Sequence, residues 1–244
     1  MEFNFSNLLM LIVDAGNSRI KVALVNDEKI SQFEVFSEAN LVNFEFFLNQ
    51  FNYSKSLISS VKSDSETQLL KSKLKNCLDL KNAFIPLEID YKTKNTLGSD
   101  RIANAVAAKF KAQKGALVID IGTCIKFDFV NTKGVYEGGS ISPGIQLRYK
   151  SLNDYTGALP LLKETSKIKF LGKSTHECIQ SGVLNGIQGE LNYLIDCYTQ
   201  NNKDLTIFVT GGDALCFDYS PKKNIFVVEN LTLLGLSYIL KANE

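Results

Sequence analysis

The chain has 244 residues, 45% of them apolar, enough for one large domain or two small ones and too many for wholesale disorder. Its 27 Lys and Arg offset 26 Asp and Glu to a net charge of +1, so no bulk field draws it to nucleic acid. Five cysteines (Cys77, Cys124, Cys178, Cys197, Cys216) form no CxxC pair and meet a single histidine, His176, a poor zinc set that points to reduced thiols. The opening MEFNFSN lacks a basic n-region and is not expected to be a signal peptide. No apolar run approaches a membrane span, so the expectation is a soluble, cytoplasmic protein.

Leu8 to Val13 is an apolar run long enough for one buried strand. It ends in Asp14-Ala15-Gly16-Asn17-Ser18, all small or turn-prone, and Arg19 to Val25 resumes with polar and apolar alternation. That pattern predicts a hairpin with a carboxylate at the end of its first strand. The glycine lets backbone N–H groups approach a ligand closely. Such a turn can hold triphosphate oxygens on N–H groups and the Ser18 hydroxyl, while Asp14 holds Mg²⁺ directly or through water. An ordinary hairpin whose Asp and Asn only satisfy the turn explains this copy as well.

Strands are then expected over Lys29–Phe36, Ser56–Val61 and Ala83–Leu87, and helices over Glu38–Phe51 and Ser65–Cys77. Tyr91 opens a polar loop that ends in Gly98-Ser99-Asp100-Arg101, followed by an Ala-rich helix over Ile102–Gln113. Helix capping alone would account for Ser99 or Asp100. It requires neither Gly98 before nor Arg101 beside them, and the group suits an anionic small molecule at a helix N-terminus. A domain boundary is expected near residue 113, giving domains 1–113 and 114–244.

The pattern of strand, Asp, glycine turn and returning strand then recurs over Ala116 to Val130, with Asp120-Ile-Gly-Thr123-Cys as its turn. The copies lie about one domain length apart. Two such hairpins offering carboxylate and hydroxyl to one nucleotide resemble the phosphate-binding loops of the acetate and sugar kinase/heat-shock ATPase/actin superfamily. Gly138-Gly139 and Pro143-Gly144 suggest a loop, with a helix over Ile145–Tyr155 after it. Leu171-Gly-Lys-Ser-Thr175 lacks the upstream GxxxxG of a P-loop and leads into helix, with a long helix over Ser181–Thr199. Leu205–Val209 should be a strand ending in the glycine turn Thr210-Gly-Gly-Asp213, which could touch phosphate or nucleobase. A strand over Asn224–Val228 and a helix over Leu231–Leu240 close an α/β chain.

Taken together, these residues resemble type III pantothenate kinases almost end to end. The resemblance is carried by DAGNSRIK (Asp14–Lys21), Tyr91 seven residues before GSDR (Gly98–Arg101), DIGT (Asp120–Thr123), YEGGSISPG, LGKST and VTGGDA. It implies two ribonuclease-H-like domains with a nucleotide cleft between them, a homodimer with pantothenate near the subunit interface, and ATP-dependent formation of 4'-phosphopantothenate, the first step of coenzyme A biosynthesis. By resemblance, Asp100 is the general base. Asp14, Ala15, Gly16, Asn17, Ser18, Arg19, Ile20, Lys21 and Thr123 face ATP, with Asp14 holding Mg²⁺. Tyr91, Gly98, Ser99, Asp100, Arg101 and Thr175 contact pantothenate, and Asp120 binds K⁺ or NH₄⁺.

Arg101 suits a substrate carboxylate because a guanidinium grips it with two hydrogen bonds. Ser18 stands where the family usually has Thr and keeps the hydroxyl. Lys126 stands where another Thr is common. It is either a strand residue facing solvent or an ammonium near the cation or phosphate, and the expectation is a free ion at Asp120. His176 beside Thr175 is expected at the surface. The rival readings are another small-acid or sugar kinase of the superfamily, or a catalytically silent regulatory relative.

Overall fold

Alternation in the first third of the chain becomes a meander, and the apolar runs after it become parallel strands. In this computed structural model the residues described are 9–16, 19–26, 29–37, 41–163, 169–220 and 223–244. The first sheet holds β1 (Met10–Ala15), β2 (Arg19–Asn26), β3 (Lys29–Ser37), β4 (Lys55–Ser60) and β5 (Cys77–Asp79), in the order β3-β2-β1-β4-β5. β1, β2 and β3 are antiparallel, and β4 and β5 run parallel to β1. The second sheet takes β6 (Glu88–Ile89), β7 (Ala116–Ile121), β8 (Cys124–Val130), β9 (Val135–Pro143), β10 (Thr206–Thr210) and β11 (Ile225–Val227). Its order is β11-β10-β7-β8-β9-β6. Again the first three long strands are an antiparallel meander and the last two lie parallel to the first. The duplication expected from the two Asp turns is therefore a duplication of the whole sheet, as two ribonuclease-H-like units require.

The helices are α1 (Leu41–Asn49), α2 (Asp64–Lys71), α3 (Ser99–Lys111), α4 (Ile145–Asp154), α5 (Thr175–Asn201) and α6 (Leu231–Lys241). Leu11, Val13 and Ala15 of β1 share a core with Phe44 and Leu48 of α1 and Leu70 of α2. In the second unit Leu117, Ile119 and Ile121 of β7 pack with Val183, Leu184, Ile187 and Leu191 of α5. Period-2 positions on a strand meeting helical-period positions on its cover is what each pattern was built for.

Two compact units result. The first takes in residues up to Glu88, Thr93–Phe110 and Leu231–Glu244, and the second Ile89–Lys92 and Lys111–Asn230. The division falls at the end of α3, between Phe110 and Lys111, and the C-terminal helix sits with the first unit. α6 is apolar on every side, with Leu231 and Leu233–Leu240 all buried, so it needs cover all round. It packs on β1, β2 and β4, and at Gly235 a Cβ would stand 1.8 Å from the Ala103 carbonyl oxygen, so α3 and α6 touch through their backbones.

Three expectations change. The helix set over Ser65–Cys77 ends at Lys71, and a turn with Asn76 at φ 45° hands Cys77–Asp79 to the sheet. Ala83–Leu87 is not a strand; only Glu88–Ile89 joins a sheet. The glycine-rich YEGGSISP is strand β9, not a loop. Its glycines serve a bulge and a close approach: Gly138 has φ 100°, and a Cβ on Gly139 would lie 1.7 Å from the Phe127 carbonyl oxygen. Glu38 of the first expected helix lies outside the described residues, as do Leu8 and MEFNFSN. Among the described residues no helix is long and apolar enough to cross a membrane.

Candidate active site

In the first unit β1 ends beside β4, and Asp14 sits directly opposite Ser59 in their parallel register. The Ser59 hydroxyl, nearly inaccessible, donates to the hydroxyl of Ser99, the first residue of α3, at 3.1 Å. One hydrogen bond thus ties the Gly98–Arg101 turn to the sheet edge that carries Asp14. That edge is the carboxyl end of two parallel strands, where open α/β sheets bind ligands.

Asp100 folds back on its own turn, accepting from the Arg101 backbone N–H at 2.9 Å, so part of its work is helix capping. A Cβ on Gly98 would stand 2.6 Å from Asp100 Oδ1; any other residue would push the carboxylate aside. Arg101 is buried, only 6% exposed, so an anion meeting it is enclosed and the attraction little screened by water.

The turn after β1 is less open than its glycine suggested. The Gly16 N–H is spent on the Arg19 carbonyl at 2.9 Å. Ala15 and Ile20 point into the core, 1% exposed each, and can offer a ligand only backbone. Arg19 and Lys21 are exposed. Asn17 and Ser18 lie outside the described residues.

In the second unit Asp120 is enclosed by Lys126 and by the turn after β10. Lys126 is its cross-strand partner, so the two side chains share a face, and Lys126 Nζ lies 2.7 Å from Asp120 Oδ2. Their side chains are 18% and 14% exposed, which overturns the reading of Lys126 as a solvent-facing strand residue. From β10 the Thr210-Gly-Gly-Asp213 turn closes over the carboxylate. Gly211 has φ 98°, and a Cβ there would meet Asp120 Oδ1 at 2.6 Å and the Ile121 carbonyl oxygen at 2.2 Å. The Asp213 N–H donates to that same Ile121 carbonyl at 3.0 Å. Burial pushes the Asp213 carboxyl above its ordinary range, and burial followed by the Asp213 charge pushes the Cys216 thiol up. Within the turn after β7 the Gly122 N–H donates to the Cys124 carbonyl and the Gly144 N–H to the Thr123 carbonyl, and the Thr123 side chain is exposed.

Tyr91 belongs to the second unit while Gly98–Arg101 belong to the first. Its ring lies over Gly138, with its centroid 6.0 Å from that of Tyr136. The Tyr136 hydroxyl donates to the fully buried Asp128 at 2.8 Å. Thr175 is exposed at the start of α5 and lines a cavity of about 530 Å³ with Arg148, Leu152, Leu159, Ile179 and Val183. The Gly-Lys-Ser-Thr run is a helix start, as expected. Ser174 accepts from the Glu177 N–H at 3.3 Å, and Glu177 takes the Lys173 N–H at 2.8 Å. His176 is exposed.

The family model described as Type III pantothenate kinase matches residues 10–197. A Type III pantothenate kinase of Cytophaga hutchinsonii is 38% identical over 237 residues, covering 96% of this chain and 99% of the relative. One from Christiangramia forsetii is 39% identical over 239 residues, covering 96% and 98%. The chain belongs to the type III pantothenate kinase family. Among solved structures, a Campylobacter jejuni protein described as a conserved Baf family transcriptional activator matches with a TM-score of 0.64 at 22% identity. It covers 96% of this chain and 98% of its own, and supports the fold.

A type III pantothenate kinase is an enzyme that works on ATP, and phosphoryl transfer from ATP requires a divalent metal. Among the described residues no group of three or more His, Cys, Asp or Glu side chains forms a ready metal cage. Two features went unseen in the sequence. Glu190 of α5 joins Arg148 of α4 and Ser142 of β9, with Arg148 Nε also donating to the Pro143 carbonyl at 2.8 Å. The Tyr136–Asp128 pair has no signal of its own either: the two residues lie on adjacent strands and meet only through the β8–β9 register.

Proposed function

We propose that this type III pantothenate kinase transfers the γ-phosphoryl group of ATP to the primary hydroxyl of pantothenate, giving 4'-phosphopantothenate and opening coenzyme A biosynthesis. The observation that carries the reading is the shared sheet edge of Asp14 and the Gly98–Arg101 turn, linked through Ser59 and Ser99. Asp100 is the general base and accepts the hydroxyl proton late, as bond formation acidifies it. The Arg101 guanidinium takes the pantothenate carboxylate, with Gly98, Ser99, Tyr91 and Thr175 as further contacts. The Asp14–Lys21 turn and Thr123 face the polyphosphate of the nucleotide. A divalent ion, Mg²⁺ in this reading, would be held by Asp14 with phosphate oxygens and would offset their charge.

A homodimer belongs to this reading. Five cysteines without a disulfide support a cytoplasmic setting. A neutral sugar would offer Arg101 no carboxylate. The test is incubation of the purified protein with ATP, Mg²⁺, K⁺ and pantothenate, followed by detection of the phosphate ester. Asp100→Asn should cut turnover by about two to four orders of magnitude while ATP binding persists. A variant with near wild-type kcat would reduce Asp100 to a helix cap, and no ester from the unmutated protein would overturn the activity.

A further inference from the structure

We infer that Lys126 is the built-in counter-ion of Asp120, so that phosphoryl transfer by this chain needs neither K⁺ nor NH₄⁺. The inference rests on the pantothenate kinase reading above and concerns how one carboxylate of that site is neutralised. A free monovalent ion at Asp120 needs open carboxylate oxygens. Here Oδ2 carries the Lys126 ammonium at 2.7 Å, and the backbone of the Gly211 turn lies close against Oδ1. The residues present therefore do not fit a free cation.

Register explains why the ammonium is there. Asp120 and Lys126 are directly opposed in the β7–β8 ladder, so their side chains leave the sheet on the same face. Low exposure at both ends, 18% for Lys126 and 14% for Asp120, makes this an enclosed pair whose attraction water screens weakly. A lysine ammonium is an ammonium ion with one hydrogen replaced by a tether, and it brings the same charge and the same kind of N–H donors. The tether removes the cost of capturing a free ion, because the cation is already held beside its carboxylate at a high effective concentration. A K⁺ ion arriving at Asp120 would have to displace that ammonium or sit against it with like charge. Neither is favourable.

Initial rates are measured with MgATP and pantothenate in chloride salts of K⁺, NH₄⁺, Na⁺ and choline at constant ionic strength. Thermal melting is recorded in the same salts without substrate. The unmutated protein should turn over at rates within about two-fold across all four salts and show no K⁺-specific rise in Tm. Lys126→Thr should lose at least about ten-fold of its rate in choline, recover it with K⁺ or NH₄⁺, and gain a K⁺-specific rise in Tm. A ten-fold or greater activation of the unmutated protein by K⁺, or a K⁺-specific rise in its Tm, overturns the inference. So does a folded Lys126→Thr variant as active in choline as in K⁺. If no salt yields phosphorylated pantothenate, the kinase reading fails, and melting of the unmutated protein still decides whether Asp120 takes a free cation.

Discussion

The two aspartate hairpins share strand order and register, and they differ in what happens to the charge opposite the aspartate. In the first, Asp14 faces Lys21 across the ladder and Lys21 is exposed. In the second, Asp120 faces Lys126, and Lys126 is enclosed and ion-paired. Turn length contributes. The first turn passes from Ala15 to Ile20, and the second closes one residue sooner, from Ile121 to Ile125. The neighbouring strand contributes more. β4 brings Ser59 beside Asp14 and onward to the start of α3, whereas β10 brings a glycine turn down on Asp120. In one copy the neighbouring strand leads on to the start of α3, and in the other the carboxylate is paired with an ammonium under a glycine turn. Duplication supplied two like frames, and the parallel strand next to each aspartate strand set them apart.

The largest effect that would break this comparison is on rate. Asp14→Asn should lower kcat/KM by at least about 100-fold through lost charge compensation of Mg·ATP, with little change in Tm. Asp120→Asn should instead act on stability. It removes the carboxylate that pairs with Lys126 and should cost about 2 kcal/mol, less than a fully buried pair would lose because both side chains keep some solvent. Paired kinetics and melting of the two variants check this. Equal loss of stability in both, or wild-type kcat/KM in Asp14→Asn, would erase the division of labour.

A smaller contrast lies in the glycines that touch each turn. Gly211→Ala must accept φ 98° and a Cβ 2.2 Å from the Ile121 carbonyl oxygen, both backbone constraints that no side chain can relieve. The expected cost is about 2–4 kcal/mol. Gly16→Ala brings its Cβ to 3.3 Å from the Arg19 carbonyl oxygen, a contact a slight shift absorbs, for under about 1 kcal/mol. Urea or thermal unfolding of both variants measures the difference. A tolerated Gly211→Ala would show that the β10 turn is not pinned on Asp120.

The two turns were legible in the sequence because each is local: a strand-length apolar run, an Asp and a glycine within a few residues. Gly98-Ser-Asp-Arg was legible for the same reason, down to the part of Asp100's work that is capping. What escaped depends on distant partners. Gly138 and Gly139 look like a loop until β8 is beside them and Tyr91 lies over Gly138. The C-terminal helix seems to close the second half until its all-round apolar surface finds β1, β4 and α3. Lys126 could be noticed as unusual, but its direction followed only once the register past Gly122 was known.

The smallest expected effect tests Asp213, the second carboxylate over the Asp120 turn. Its N–H is bonded to the Ile121 carbonyl, and burial holds its carboxyl above the ordinary value of 3.8. A carboxyl raised on folding favours the folded state most when protonated, below about pH 3.8, and that contribution is lost as pH rises through the folded value. At neutral pH the ionised Asp213 therefore works against the fold, in contrast to Asp120, whose charge has an ammonium beside it. Asp213→Asn should raise Tm slightly at pH 8, and the gain should shrink as pH falls toward 5. Melting curves across that range read the slope directly. A variant less stable than the parent at pH 8 would mean that the Asp213 carboxylate has a favourable role in the turn that outweighs its burial.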